Sequence, residues 1–126
     1  MHKGSCLCGA VTFEFQGEIA DPNGCHCHQC RKQTGHYLVS TDVDRSKLTI
    51  FGEQSLTWFQ SSDKVRRGFC AVCGSTLFWD PMFQRQTAIA MGSFDTPTGV
   101  QLGLHIFVAD KGDYYQITDG ALQNQQ

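Results

Sequence analysis

Seven cysteines in a chain of 126 residues fall into three short clusters: Cys6-x-Cys8, Cys25-x-Cys27-x-x-Cys30 and Cys70-x-x-Cys73. No other feature constrains the fold so tightly, because sulfurs that share a metal or a bond must meet wherever the chain runs. The N-terminal stretch MHKGSCLCGA has no apolar core of the kind a secretory signal carries, so the expected compartment is a reducing one, the cytoplasm. There, clustered thiols usually mean metal or catalysis rather than disulfides. The odd number would also leave one thiol over. Neighbours such as Cys6 and Cys8, or Cys25 and Cys27, stand too close in sequence for easy unstrained bridges.

The clusters differ in the residue after the last thiol. Cys8 and Cys73 are each succeeded directly by glycine. A glycine there can take positive φ, wrapping the backbone so that its N–H groups point at sulfur and favour thiolates. Two such turns can give four sulfurs to one tetrahedral zinc, and a closed four-thiolate site is typically structural. Joining segments about sixty residues apart costs on the order of 3–4 kcal/mol of loop-closure entropy. Structural zinc supplies roughly 10–16 kcal/mol in model peptides, well above that cost. Cys6, Cys8, Cys70 and Cys73 are therefore assigned to a structural zinc that staples the N-terminal strand to the hairpin around 69–79. The plainer alternative is a pair of buried free cysteines at each end.

Cys25, Cys27 and Cys30 lie in the run CHCHQC, with no glycine after them and with Arg31 and Lys32 next. Nearby cations and a helix start both favour thiolates. Three sulfurs hold a zinc but leave its fourth position open, the arrangement of a catalytic site. The alternative is a second structural zinc closed by a histidine, with His26, His28, His36 and His105 as the candidates.

Around these clusters the pattern is one of strands. Val11, Phe13 and Phe15 alternate with Thr12, Glu14 and Gln16, and similar runs occur at 37–41, 47–52, 55–60, 75–79, 87–94, 105–110 and 114–118. Turn-forming residues separate them. One short helix is expected from Cys27 or His28 to a left-handed cap at Gly35. Residues 121–126 read as a polar, frayed tail. An apolar fraction of 40% with 11% aromatics suits one globular domain with a real core.

The other polar residues receive ordinary readings. The net charge of −2 and the lack of a basic stripe argue against nucleic acid. No apolar run is long enough to span a membrane. Lys64, Arg66 and Arg67 read as a solvated strand edge, Trp58, Phe59 and Trp79 as core, and Asp42, Asp44, Asp63 and Asp95 as turn residues. His26 and His28 read as exposed or hydrogen-bonded neighbours of a metal, and His105 as a packed histidine.

SCLCGAV (5–11), CHCHQCRKQTG (25–35), VRRGFCAVCGSTLFW (65–79) and HIFVADKGDYYQITDG (105–120) together resemble the glutathione-dependent formaldehyde-activating enzyme family, whose domain is also found in centromere protein V. The resemblance runs from the N-terminus to about Gly120 and is weakest over 81–104. It implies a mainly β, Mss4-like fold, a tent of folded β-sheets with one short helical turn and zinc-binding turns. One zinc domain would occupy 1–120, ahead of the tail. It also implies two zincs, a structural one at Cys6, Cys8, Cys70 and Cys73 and a weakly held catalytic one at Cys25, Cys27 and Cys30. The activity it implies is condensation of formaldehyde with glutathione, formally a carbon–sulfur lyase running in reverse. The partners are then a small thiol such as glutathione and a small aldehyde. The histidines inside Cys-x-Cys-x-x-Cys depart from the smaller or polar residues commoner there.

In that mechanism a substrate thiol takes the open position on zinc and adds to an aldehyde, with His26, His28 or His105 as the possible general acid. Two other classes remain: a non-catalytic, zinc-stabilised protein-binding module, and a thiol or zinc sensor.

Overall fold

Alternating residues become strands where one face has a core to enter, and β2 (Thr12–Phe15) shows the rule: Phe13 and Phe15 are buried while Thr12 and Glu14 face outward. The computed structural model describes residues 1–126 and is mainly β, with 11 strands in two sheets. β1 (His2–Ser5) and β5 (Leu48–Phe51) flank β2 antiparallel to form the smaller sheet.

The larger sheet contains β3 (Asn23–Cys25), β4 (Leu38–Asp44), β6 (Leu56–Gln60), β7 (Val65–Cys70), β8 (Thr76–Pro81), β9 (Gln86–Ala90), β10 (Leu104–Ile106) and β11 (Leu122–Gln123). Its spatial order is β11-β10-β3-β4-β9-β8-β7-β6. β10 runs parallel to both of its neighbours, and the other pairings are antiparallel. The single helix, α1 (His28–Thr34), has Cys27 as its N-cap and Gly35 as its left-handed C-cap at φ 85°, as expected. No helix is long and apolar enough to cross a membrane.

The core lies where the small sheet meets one face of the large one. Phe13 meets Phe78 and Phe94 edge-on, at ring separations of 5.8 and 5.3 Å. Val11, Val43, Leu77 and Ile89 are sealed around them. Cross-strand register lines up Thr41, Ile89, Phe78, Gly68 and Trp58 as one row on this face. Gly68 is needed there, because a Cβ would stand 2.9 Å from the Trp58 ring. The next row, displaced by one residue and so on the opposite face, reads Asp42, Ala88, Trp79, Arg67 and Phe59.

Several local expectations are corrected. Residues 114–118 form no strand; Tyr115 stacks instead on His26, and Tyr114 and Tyr115 pack tilted and edge-on against His36. The C-terminus is not frayed at Leu122–Gln123, which pair with β10, and Val108 and Ala109 donate N–H groups to the carbonyls of Asn124 and Gln125. Lys64 aside, the basic run is no solvated edge. Arg66 pairs with the buried Asp80 at 2.7 Å and stacks over Trp58, and Arg67 is only 4% exposed. Trp58 packs against the core as expected, but Phe59 is exposed and Trp79 turns away from the core. Asp42 belongs to β4 rather than to a turn.

Gly52 ties the small sheet to the first cysteine turn. Its φ is 78°, and a Cβ would fall 2.0 Å from the Ala10 carbonyl oxygen. Gly99 has nearly the same φ, 79°, with nothing near its missing Cβ. Gly99→Ala is therefore expected to cost about 1–2 kcal/mol from the left-handed backbone alone. Gly52→Ala adds a backbone clash and is expected to cost about 3–4 kcal/mol. Urea denaturation of the two variants side by side checks the difference; equal losses would remove the clash from the account.

Candidate metal centres

The first cysteine turn leads from β1 into β2, and the second joins β7 to β8. Gly9 and Gly74 both adopt positive φ, 81° and 78°. Their N–H groups close the turns onto the Cys6 and Cys70 carbonyls, at 3.2 and 2.8 Å. Backbone donors also aim at sulfur: Val11 N–H at Cys6 Sγ, 3.3 Å, and Val72 N–H at Cys70 Sγ, 3.4 Å. Hydrogen bonds from the Ser75 side chain and backbone bring the Cys73 thiol down to about 5.

All four sulfurs lie within 4.8 Å of one another, with Cys6–Cys8 at 3.7 Å and Cys8–Cys70 at 3.8 Å. Sulfurs about 2.3 Å from a tetrahedral centre would be about 3.8 Å apart. No disulfide forms anywhere in the chain. The donor set and its spacing fit a metal ion.

The second cluster forms where β3 runs into α1. Cys25 ends the strand, Cys27 caps the helix by accepting the Cys30 N–H at 3.4 Å, and Cys30 sits buried in the first turn. Strand alternation places Cys25 and Cys27 on one side of the chain and His26 on the other. The three sulfurs lie within 4.8 Å of one another, and no histidine or carboxylate joins them.

Arg67, from β7, supplies the facing charge. Its Nη1 donates to Cys30 Sγ at 3.5 Å and to Gln33 Oε1 at 3.0 Å; Nη2 donates to Gln29 Oε1 at 3.2 Å and Nε to Ser61 Oγ at 3.3 Å. The hydrogen bond with Cys25, and then Arg67, bring the Cys30 thiol down to about 6. Cys25 is pushed the other way, chiefly by that shared hydrogen bond and then by burial. One negative charge thus settles on the sulfur beside the guanidinium. This cluster also fits a metal, because three thiolates exceed the charge of a zinc ion and Arg67 offsets part of the surplus.

A groove of about 450 Å³ opens from these sulfurs across the outer face of the large sheet. Leu38, Ser40 and Asp42 line it from β4, Ala88 from β9, Trp79 from β8, and Ile106 and Phe107 from the end of β10. None of the five histidines lines it. His26 and His105 are sealed behind the sheet, 0% and 1% exposed, in a hydrogen-bonded chain. With both rings neutral, Tyr115 Oη donates to His26 Nδ1, His26 Nε2 donates to His105 Nδ1 at 2.8 Å, and His105 Nε2 donates to Asp119 at 2.8 Å. Burial first, then the neighbouring His105, holds His26 down to about 4, so it stays neutral.

This chain pins the back of β3 and turns Cys25 and Cys27 toward the groove. Asp119, Tyr115, Arg67 and Asp42 carry no mark of a site residue in the sequence. The only sequence signal for the backing chain is the C-H-C alternation itself, which places the histidine opposite the sulfurs in an extended strand.

Residues 1–110 match the family model described as glutathione-dependent formaldehyde-activating enzyme. A protein of Halomonas elongata, provisionally named as an enzyme of that kind, is 30% identical over 127 residues, covering 91% of this chain and 80% of that protein. An uncharacterized lyase of Schizosaccharomyces pombe is 27% identical over 78 residues, 62% of this chain and 56% of that protein. Among solved structures, one of a Rhodobacter sphaeroides protein superposes with a TM-score of 0.63 at 20% identity, covering 97% of this chain and 98% of that one. That last likeness is one of fold.

Proposed function

The chain belongs to the glutathione-dependent formaldehyde-activating enzyme family, and we propose that it acts on adducts between a small thiol and a small aldehyde. Glutathione and formaldehyde are the pair that the family's description carries. The reaction makes or breaks one carbon–sulfur bond. A thiolate and formaldehyde, with one proton, become a hydroxymethyl thioether; the proton ends on the former carbonyl oxygen. The reverse reaction is that of a carbon–sulfur lyase.

The observation that carries this reading is the three-sulfur cluster at the end of an open groove, with no fourth protein ligand. Zinc held by Cys25, Cys27 and Cys30 would supply the positive charge that keeps a substrate thiol ionised and nucleophilic at neutral pH. Arg67 donates to the Cys30 sulfur and offsets charge that would otherwise repel an incoming thiolate. Leu38, Trp79 and Ile106 give the groove apolar walls, where these electrostatic contacts are stronger than in open water. His26 and His105 lie behind the sheet and His28 is exposed outside the groove, so the proton for the new hydroxyl comes from water. Zinc at Cys6, Cys8, Cys70 and Cys73 has the structural role in this reading. Seven free thiols suit a reducing compartment, and the cytoplasm is part of the proposal.

The test is metal content and then turnover. Protein purified under reducing conditions should hold two zincs per chain, one of them removable by mild chelation. Glutathione and formaldehyde should combine faster with the fully loaded protein than with the chelated one. Two inert zincs, with no acceleration for any small thiol, would overturn the assignment in favour of a structural or protein-binding role.

A further inference from the structure

The groove carries a second feature away from its sulfurs. Asp42, Ala88 and Trp79 are direct cross-strand partners on three adjacent strands, and all three line the groove. Asp42 and Trp79 stand two strand spacings apart, about 9.5 Å between backbones. Only the Ala88 methyl lies between them, leaving a hollow floored by alanine and flanked by a carboxylate and an indole.

The charges of this hollow are unbalanced. The Asp42 carboxylate makes no hydrogen bond or ion pair, although Asp44, two residues further along the same strand, pairs with Arg85. The one cation in the lining, Arg67, is committed to Gln29, Gln33, Ser61 and Cys30. Asp42 is exposed at the side of the groove, and partial desolvation there still raises its pKa. An anionic group turned into the hollow would meet a carboxylate with no free cation, so a carboxylate carried beside an ammonium has to face the open side of the groove. An ammonium group would relieve it, with the indole as an additional cation-binding surface.

We propose that Asp42 and Trp79 form the seat for an ammonium group carried by the thiol substrate. The claim rests on the thiol reading of the groove only for the rest of the ligand. Its geometry also suits one molecule spanning both ends. Cys25 pairs with Leu38, and Asp42 lies four residues further along β4, about 13 Å away. In glutathione, eight bonds separate the sulfur from the α-amino nitrogen, roughly 10 Å when extended. The remaining distance is about one ammonium–carboxylate hydrogen bond, roughly 2.8 Å, so a sulfur coordinated at the cysteines can bring that amine within reach of Asp42.

The first arm of the test uses a probe without sulfur. Hexylammonium and 1-hexanol are titrated into the zinc-loaded protein and into Asp42→Asn, with calorimetry and tryptophan fluorescence as the readouts. Hexylammonium should bind the parent about tenfold more tightly than hexanol, and Asp42→Asn should abolish the difference. Equal binding of the two probes by the parent, or an unchanged preference in Asp42→Asn, overturns the seat. The second arm compares glutathione with N-acetylglutathione in formaldehyde consumption. A higher KM for the acetylated thiol in the parent, but not in Asp42→Asn, supports the seat; equal KM values in the parent overturn it. If no thiol accelerates formaldehyde consumption while hexylammonium still discriminates, the thiol reading fails and the ammonium seat stands.

Discussion

Cys8→Ser is expected to leave a chain that does not fold cooperatively. Cys8 is exposed, so the substitution leaves the core contacts in place and removes one sulfur from the first cluster. A metal in such a site contributes roughly 10–16 kcal/mol in model peptides, as much as or more than the net stability of about 5–15 kcal/mol that a domain has to lose. Cys70→Ser should be worse, since Cys70 is fully buried among core residues. The measurement is soluble yield, near-ultraviolet circular dichroism and zinc content of both variants. A Cys8→Ser protein with one zinc fewer and a normal unfolding transition would show that the four-sulfur cluster is not what holds the small sheet to the β7–β8 hairpin.

Cys27→Ser should have the opposite profile, with the fold and one zinc retained but turnover lost. Cys27 lies at the β3–α1 junction, outside the core cluster, and serine remains a competent helix cap. Formaldehyde consumption with glutathione should fall at least a hundredfold, since disturbing even an outer partner of a metal ligand costs about 10- to 100-fold. A folded Cys27→Ser protein with one zinc and undiminished turnover would end the proposed mechanism. Together the two variants test whether one sulfur set holds the fold while the other does chemistry.

Much of the local structure is legible in the sequence. The glycine after Cys8 and after Cys73 announces two tight turns, because a left-handed φ is a property of the residue and its immediate neighbours. The cap residues of α1 are readable for the same reason. β3 is harder, since three residues with one glycine carry too little pattern to signal a strand. β7 is obscured by the adjacent arginines, which look like a solvent edge. In the tertiary structure Arg66 is paired with Asp80, and Arg67 closes over Cys30. The alternation over 114–118 is real but misleading, since it supplies rings packed against histidines rather than ladder partners.

The sequence by itself determined which sulfurs belong together, where the chain turns around them, and the single helix at Cys27–Gly35. Each of these depends on residues a few positions apart, whose geometry backbone torsions and sulfur chemistry set directly. What surrounds the sulfurs was decided only in three dimensions. Asp42, Ala88, Trp79 and Arg67 come from four separate strands and meet through the register imposed by the core residues on the other face. The His26–His105–Asp119 chain likewise needs β10 to run parallel beside β3. Such neighbours lie tens of residues apart in the chain, and only the packing of one face against the small sheet fixes which of them share the other.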